Sequence, residues 1–382
     1  MGFKSVFAIA VLGMSVSACG NHYAATVTKG VQDNEKATSL VEWETSDSNP
    51  DTVFPQWRAE YAKDPAKLSE EQSFICASLQ QLDGVHLEIY QEQIEEKDNA
   101  VILAPCLDQL KKTLAQHFED ERKTMQVPVN ALAAEPSGNN FKFKTTLQTR
   151  DTAKGYFALT GDAKPKELIL TFDDGPSPYT ESILRTLKEV GAKAIFFEMA
   201  KNVRVLPNVT KEVAADGHSI GSHTVTHACI GSHPVCAKAM GHNYTMDEAL
   251  AEIRGGHQAI QKVLGWVDPF FRFPYGEDSP ELRKYLMDNQ VGEFYWTIDS
   301  EDWKAQTNDH LVQSVLASID KSGKGIILFH DIQQKTAETL PQILREIYSR
   351  GYSLVYLQSS DPNARHNTQL LTPVVPVIPA KP

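Results

Sequence analysis

The 382-residue chain is 41% hydrophobic and 23% charged, the balance of a globular protein with room for a large core and more than one domain. A formal net charge of −12 with no local basic patch excludes nucleic acid as a partner, because the phosphates would be repelled. The apolar run at residues 5–18, preceded by Lys4, is too short to span a bilayer and reads as a secretory signal, so the mature protein is expected to be exported.

The end of that run, Val-Ser-Ala-Cys-Gly from Val16 to Gly20, resembles the lipobox of bacterial lipoproteins. The resemblance implies acylation of Cys19 and a membrane anchor, with an ordinary cut after Ala18 as the alternative. Several acyl chains on one residue hold firmly to a bilayer. Gly20 lacks the acidic character tied to inner-membrane retention in such proteins, so an outer-membrane lipoprotein facing the periplasm is expected. Removing Cys19 leaves four cysteines in an oxidising compartment. Three connectivities are open to them, as is the alternative of four free buried thiols. Since Cys76 and Cys106, and Cys229 and Cys236, each lie within one candidate domain, those two pairings are expected.

After a signal peptide at 1–18, residues 19–66 read as a polar tether with a short docking segment. From 69 onward apolar residues recur at three or four: Ile75, Leu79, Leu82, His86 and Ile89, then Leu103, Leu107, Leu110 and Leu114. That spacing predicts two helices, the first opened by a capping box from Ser69 to Gln72. A Cys76–Cys106 bridge would staple them as a hairpin, closing a loop of about 30 residues. Between 127 and 165 short alternating stretches such as residues 141–149 suggest strands, either of the N-terminal region or of its junction with the next domain.

From 167 the rhythm is strand then helix. "ELILTF", "AIFFEM", "HSIGSH", "FFRFP", "EFYWTI", "GIILFH" and "YSLVYL" read as buried strands separated by helical patterns. Such an order predicts an α/β fold, a distorted (β/α)7 barrel of parallel strands, preceded by a smaller, mostly helical N-terminal region. The expected boundaries are 67–160 for that accessory region, 161–360 for the catalytic domain and 361–382 for a Pro-rich tail.

In a barrel of this kind chemistry gathers where the strands end. Asp173 and Asp174 end the first strand, His223 and His227 follow the third, and Arg272 and Tyr275 end the fourth. Asp299 and Asp302 follow the fifth, and His330 with Asp331 ends the sixth. Taken alone, Asp-Asp-Gly-Pro is an ordinary strand exit and a His-x-x-x-His pair is commonly surface or core histidine. Five strand ends delivering acids, bases and imidazoles to one rim are hard to obtain by chance. One carboxylate and two imidazoles, Asp174 with His223 and His227, suit zinc or another divalent transition metal such as Co, Ni or Mn. A metal would also relieve the repulsion of adjacent aspartates.

The ordered motifs "TFDDG", "HTVTH", "RFPYG", "DSEDW" and "ILFHD" resemble the polysaccharide deacetylases, carbohydrate esterase family four with its NodB-like domain, over roughly residues 165–358. The resemblance implies that Asp173 is the catalytic base, held ionised and oriented by Arg272. It implies that His330 is the acid that protonates the departing amine, with Asp302 holding its imidazole protonated. It assigns the backbone N–H of Tyr275 to the oxyanion and Leu328 to the acetyl methyl pocket, and Trp303 falls among the substrate-facing residues. The expected reaction is metal-assisted hydrolysis of N-acetyl or O-acetyl groups, releasing acetate. An anchor beside the wall favours peptidoglycan as the glycan, then chitin oligosaccharide or poly-N-acetylglucosamine. The rival is a glycan-binding pseudoenzyme lipoprotein, although a binder has no need of a base, an acid and both their orienters.

Two departures from the family pattern stand out. "ACIGSHPVCAKAMGHNY" carries the Cys229–Cys236 pair and would reshape the substrate groove beside the metal, and Phe273 stands where Pro is common. Phe273 is expected in the core, His233 and His242 at the surface, and His218 and His257 have no motif behind them.

Overall fold

The computed structural model describes Phe54, Arg58, residues 68–80, Leu87, Ile94, residues 97–125 and residues 141–366. The signal segment, Cys19, most of the tether and the tail beyond 366 lie outside the described residues. So do Leu82, His86, Ile89 and the side chain of Ser69 on which the expected capping box depends. Among the described residues no helix is long and apolar enough to cross a membrane.

The N-terminal region holds the two expected helices, α1 (Leu68–Leu79) and α2 (Leu107–Met125). The Cys76–Cys106 disulfide joins them with its Cα atoms 5.5 Å apart. Ile75, Leu79, Leu110 and Leu114 meet Phe54, Leu87 and Ile94 in one buried cluster. Leu103 lies in the turn before α2, and its carbonyl accepts from the amides of Cys106 and Leu107. It stays buried in the same cluster, which is why its spacing matched a helical face.

The larger body is a parallel sheet of β1 (Thr146–Arg150), β2 (Phe157–Ala158), β3 (Glu167–Asp173), β4 (Ile195–Glu198), β5 (Ser219–Ser222), β6 (Phe270–Phe271), β7 (Gly292–Phe294), β8 (Ile298–Asp299), β9 (Gly325–His330) and β10 (Ser353–Ser359). Its order is β1-β10-β3-β4-β5-β6-β7-β2, with β9 also paired to β3 and β8 paired to β9. Between the strands run α3 (Thr180–Glu189), α4 (Ala200–Val205), α5 (Pro207–Ala215), α6 (Pro234–Met240), α7 (Met246–Leu264), α8 (Pro280–Asp288), α9 (Asn308–Ser322) and α10 (Gln334–Ser349). Local signals set the helix ends. Thr245 and Glu248 form a capping box ahead of α7, and Gly265 and Gly323 take left-handed conformations after α7 and α9. Helix α2 lies against α4.

Alternation along the strands divides the core in two. Leu168, Leu170 and Phe172 of β3 and Ile327 and Phe329 of β9 pack outward under the helices. Ile169 and Ile326 pack inward with Ile195, Phe197, Phe270, Phe294 and Val355. Each buried side chain of this size contributes roughly 1.5–3 kcal/mol, so both layers stabilise the barrel. The β3–β9 register pairs Thr171 with Leu328 and Asp173 with His330, which sets Asp173 and His330 side by side on the inner face at the strand ends.

Two features differ in detail from expectation. The stretch "EFYWTI" is two short strands, β7 and β8, because the carbonyls of Phe294 and Tyr295 accept from the Arg272 guanidinium (3.3 and 2.9 Å). Among the described residues no ladder joins β7 to β8; inward packing of Phe270 and Phe294 fills the gap. The stretches between 141 and 158 supply β1 and β2, which hydrogen-bond into the sheet along β10 and β7.

Candidate active site

The site opens where β3, β5, β6 and β9 end. Asp173 continues the inward alternation of β3, whereas Asp174 has φ 73° and turns out of it, so both carboxylates reach the same rim. Aspartate tolerates this left-handed conformation better than most residues. Asn202 on α4 fixes the turn by donating to the Asp174 carbonyl at 2.6 Å.

Asp174, His223 and His227 come together, with Asp174 Oδ1 3.4 Å from His223 Nε2 and 3.3 Å from His227 Nε2. His223 Nδ1 lies 2.7 Å from the Arg272 carbonyl, which can only accept, so Nδ1 carries the proton and Nε2 presents its lone pair to Asp174. Asp174 Oδ1 is buried and makes no hydrogen bond. A lone pair and an unsatisfied carboxylate oxygen facing each other leave a place for a cation between them, and these three donors, the one such cluster among the described residues, fit a divalent metal. Burial alone would raise the Asp174 pKa, but the imidazoles of His227, His223 and His330, whenever they are protonated, hold it well below the usual carboxylate range.

The loop between the two histidines is tightly held. Glu252 on α7 accepts from the amides of Val225 (2.9 Å) and Thr226 (3.0 Å) and from the Thr226 hydroxyl (2.8 Å). The first amides of α4 donate to the carbonyls of Thr224 and Val225. This bracing sustains positive φ at Thr224 and His227.

Arg272 is fully buried and spans the barrel. Its Nη1 donates to Asp173 Oδ1 at 2.6 Å and to Thr171 Oγ1 at 2.8 Å, and the guanidinium lies over the Phe197 ring. Asp173 Oδ2 faces the cluster, 3.8 Å from His223 Nε2. Beside it, His330 Nδ1 is 2.6 Å from Asp302 Oδ1, while Asp302 Oδ2 accepts from the His330 amide (2.8 Å) and the Thr336 hydroxyl (2.5 Å). Burial opposes charge on His330, but the Asp302 hydrogen bond and the fields of Asp174, Asp302 and Asp173 outweigh it and push the pKa up to about 10. At neutral pH the imidazole is therefore protonated and able to donate.

Leu328 lines the inner face next to Thr171, nearly buried. Tyr275, in a left-handed turn with φ 61°, lays its ring 4.9 Å from His227 and is 49% exposed. Trp303 is 56% exposed beside Asp302, with Lys304 over its ring. Asp299 and Asp331 turn to other tasks. Asp299 Oδ1 accepts from the Glu301 amide (2.8 Å), and Asp331 Oδ2 accepts from the Thr180 hydroxyl (2.5 Å), its buried carboxyl pushed up to about 7. Phe273 is buried, His233 and His242 are exposed, and His218 and His257 are buried in the body. The Cys229–Cys236 disulfide forms as expected. Asn202, Glu252 and Thr336 are supporting residues outside the sequence motifs, and Thr171 stands inside "TFDDG" with no role assigned to it there. Of these, Thr171 alone was visible in principle, two residues before Asp173 on the same strand face.

A parallel α/β barrel with a two-histidine, one-carboxylate cluster at its rim has the form of a metal-binding enzyme. The polysaccharide deacetylase family model matches residues 160–292. A peptidoglycan-N-acetylglucosamine deacetylase of Bacillus cereus is 31% identical over 208 residues, 53% of this chain and 71% of that protein. A peptidoglycan-N-acetylmuramic acid deacetylase of Bacillus subtilis is 31% identical over 198 residues, 51% of this chain but 39% of its own length. Among solved structures, a peptidoglycan deacetylase of Bdellovibrio bacteriovorus is 46% identical with a TM-score of 0.58, covering 89% of this chain and 96% of that one. The chain belongs to the polysaccharide deacetylase family, whose members are metal-dependent hydrolases.

Proposed function

We propose that the protein removes N-acetyl groups from a GlcNAc-containing glycan of the bacterial cell envelope, with peptidoglycan favoured over chitin oligosaccharide or poly-N-acetylglucosamine. The carrying observation is the placement of two differently partnered groups beside one candidate cation cluster: Asp173, bound to Arg272 at 2.6 Å, and His330, bound to Asp302 at 2.6 Å. A carboxylate held by a guanidinium and an imidazole held by a carboxylate supply the acceptor and the donor that proton transfer to and from one bond requires. The peptidoglycan deacetylases of Bacillus cereus and Bdellovibrio bacteriovorus among its relatives support the choice of glycan.

In this reading Asp174, His223 and His227 hold the metal, zinc first, with cobalt, nickel or manganese as alternatives. Bound there, the ion supplies polarisation of the acetyl carbonyl and acidifies water. Asp173, oriented by Arg272, takes the proton of the attacking water. The Tyr275 amide donates to the developing oxyanion, and Leu328 bounds the methyl group. His330 delivers its Nε2 proton to the amine as the C–N bond breaks, so water is consumed and acetate and a free amine leave. Trp303 offers its exposed face to a sugar ring.

The same proposal assigns 1–18 to a lipoprotein signal, Cys19 to the acylated anchor, 19–66 to a tether, 67–160 to an accessory region whose last two strands, β1 and β2, pair into the neighbouring sheet, 161–360 to the catalytic domain and 361–382 to a tail. "VSACG" at Val16–Gly20 supports an outer-membrane protein facing the periplasm. The test is acetate release from N-acetylglucosamine oligomers and purified peptidoglycan by metal-loaded, chelated and Asp173→Asn protein. Release that needs both the metal and Asp173 supports the assignment. Correctly metallated protein that binds these glycans yet releases no acetate from them or from a broad acetylated panel would be a glycan-binding pseudoenzyme.

A further inference from the structure

The Tyr275 turn is one of the parts of the site under conformational strain. Tyr275 has φ 61° and ψ 2°, a left-handed conformation unfavourable for a large side chain, and Gly276 follows it at φ 67°. Such a turn persists only where neighbours over-determine it, and two groups outside the recognised motifs do so from opposite sides.

From the β7 side comes Tyr295. Its hydroxyl is within hydrogen-bonding reach of both the Gly276 carbonyl and Asp278 Oδ2, the latter at 2.7 Å, and its one proton serves that pair. Its backbone carbonyl accepts from Arg272 Nη2 at 2.9 Å, so one residue touches both the guanidinium and the turn. Burial and the Asp278 carboxylate keep the phenol neutral and donating well beyond the ordinary tyrosine range. The neighbouring Trp296 ring packs so close to Gly276 that a Cβ there would stand 2.9 Å from it.

From the opposite side comes the disulfide-tied loop. The Ser232 amide donates to the Asp278 carbonyl at 3.2 Å. Gly231 lies flat on the Glu277–Asp278 peptide, where a Cβ would come within 2.6 Å of the Glu277 carbonyl carbon and 2.8 Å of the Asp278 nitrogen. That close approach holds only while the backbone of 229–236 keeps its shape, and the Cys229–Cys236 bridge closes this loop across a separation of 7 residues.

We infer that Tyr295 and the Cys229–Cys236 loop form a clamp that positions the Tyr275 turn, so that this inserted loop is a positioning element for catalysis and more than a wall of the substrate groove. The inference rests on the deacetylase assignment for its catalytic consequence, but not for the clamp itself. Tyr295→Phe removes only the hydroxyl, and Gly231→Ala lifts the loop from the other side.

The experiment measures hydrogen exchange of the peptide covering residues 273–278 in the full metal-loaded chain, together with kcat and KM for acetate release. The expected result is faster exchange there in both variants, with kcat about tenfold lower in Tyr295→Phe, KM within about twofold and the pH midpoints of the profile unmoved. A residue that merely supports the fold would change thermal stability without that division between kcat and KM. If the wild type releases acetate and Tyr295→Phe alters neither exchange nor kcat, the clamp is overturned. If the wild type releases none, exchange alone decides: acceleration at 273–278 sustains the clamp while the deacetylase assignment falls, and unchanged exchange overturns the clamp as well. Gly231→Ala separates the loop's part from that of Tyr295, since normal exchange in that variant alone removes the loop from the inference.

Discussion

Arg272 and Asp173 form a fully enclosed ion pair, Nη1 to Oδ1 2.6 Å, in which the arginine is 0% and the aspartate 2% exposed. The guanidinium also serves Thr171 and the carbonyls of Phe294 and Tyr295, so four of its five N–H groups are engaged. Arg272→Met therefore leaves a buried carboxylate without its partner, and the expected loss is about 3–5 kcal/mol in urea unfolding. Adding Asp173→Asn to that variant should recover part of the loss, because the uncompensated charge goes with it. Additive losses would show that the two residues do not act as a pair.

The cation cluster makes its own prediction. With Asp174 Oδ1 orphaned between two imidazole nitrogens, removing that carboxylate removes the charge that balances a divalent ion. Asp174→Asn and His227→Ala are expected to copurify with far less metal than the wild type, measured as metal per chain after dialysis. Chelation should abolish acetate release and zinc or cobalt restore it. Wild-type protein that survives exhaustive chelation with undiminished activity would falsify the metal assignment.

The His330–Asp302 pair sets a pH dependence whose sign comes from the direction of the shift. Burial disfavours the imidazolium, but Asp302 and the nearby carboxylates raise its pKa from 6.5 to about 10. A raised folded pKa means the contribution to stability is complete below the unfolded value and is lost as pH climbs from about 6.5 through about 10. Unfolding free energy should therefore fall across that interval in the wild type and fall less steeply in Asp302→Asn. The alkaline limb of kcat should move in the same variant toward lower pH, because the acid then deprotonates earlier. Superimposable limbs would mean that His330 is not the acid.

The barrel was legible because its strands are buried on both faces and read as unbroken apolar runs, β3 being the clearest. The candidate site residues were legible because they sit at the ends of those runs. The break between β7 and β8 was not, since it is made by carbonyls turning toward an arginine 22 and 23 residues earlier. The pairing of β1 and β2 was equally hidden: short, half-exposed strands carry little signal about which edge they join. Thr336 supports Asp302 from 34 residues away, and Asn202 supports Asp174 from 28. Such partners are chosen by tertiary proximity, and only Thr171 shared a strand with the residue it serves.

The turn after the paired aspartates leaves no room for a side chain. A Cβ on Gly175 would overlap both carboxylate oxygens of Asp331. Asp331 cannot retreat easily, because it is buried and Thr180 on α3 donates to its Oδ2. The Gly175 carbonyl in turn accepts from the Met199 amide at 2.9 Å, tying the segment to the end of β4. Gly175→Ala must therefore push the chain at Asp174 away from its seat, at a cost of about 1–3 kcal/mol in stability. Metal content should fall with it, since Asp174 is the only carboxylate of the described cluster. Removing the obstruction should reverse this: Gly175→Ala combined with Asp331→Ala is expected to hold more metal than Gly175→Ala alone, with Asp331→Ala as the reference. If Gly175→Ala alone binds metal as the wild type does, the steric account of this glycine is wrong.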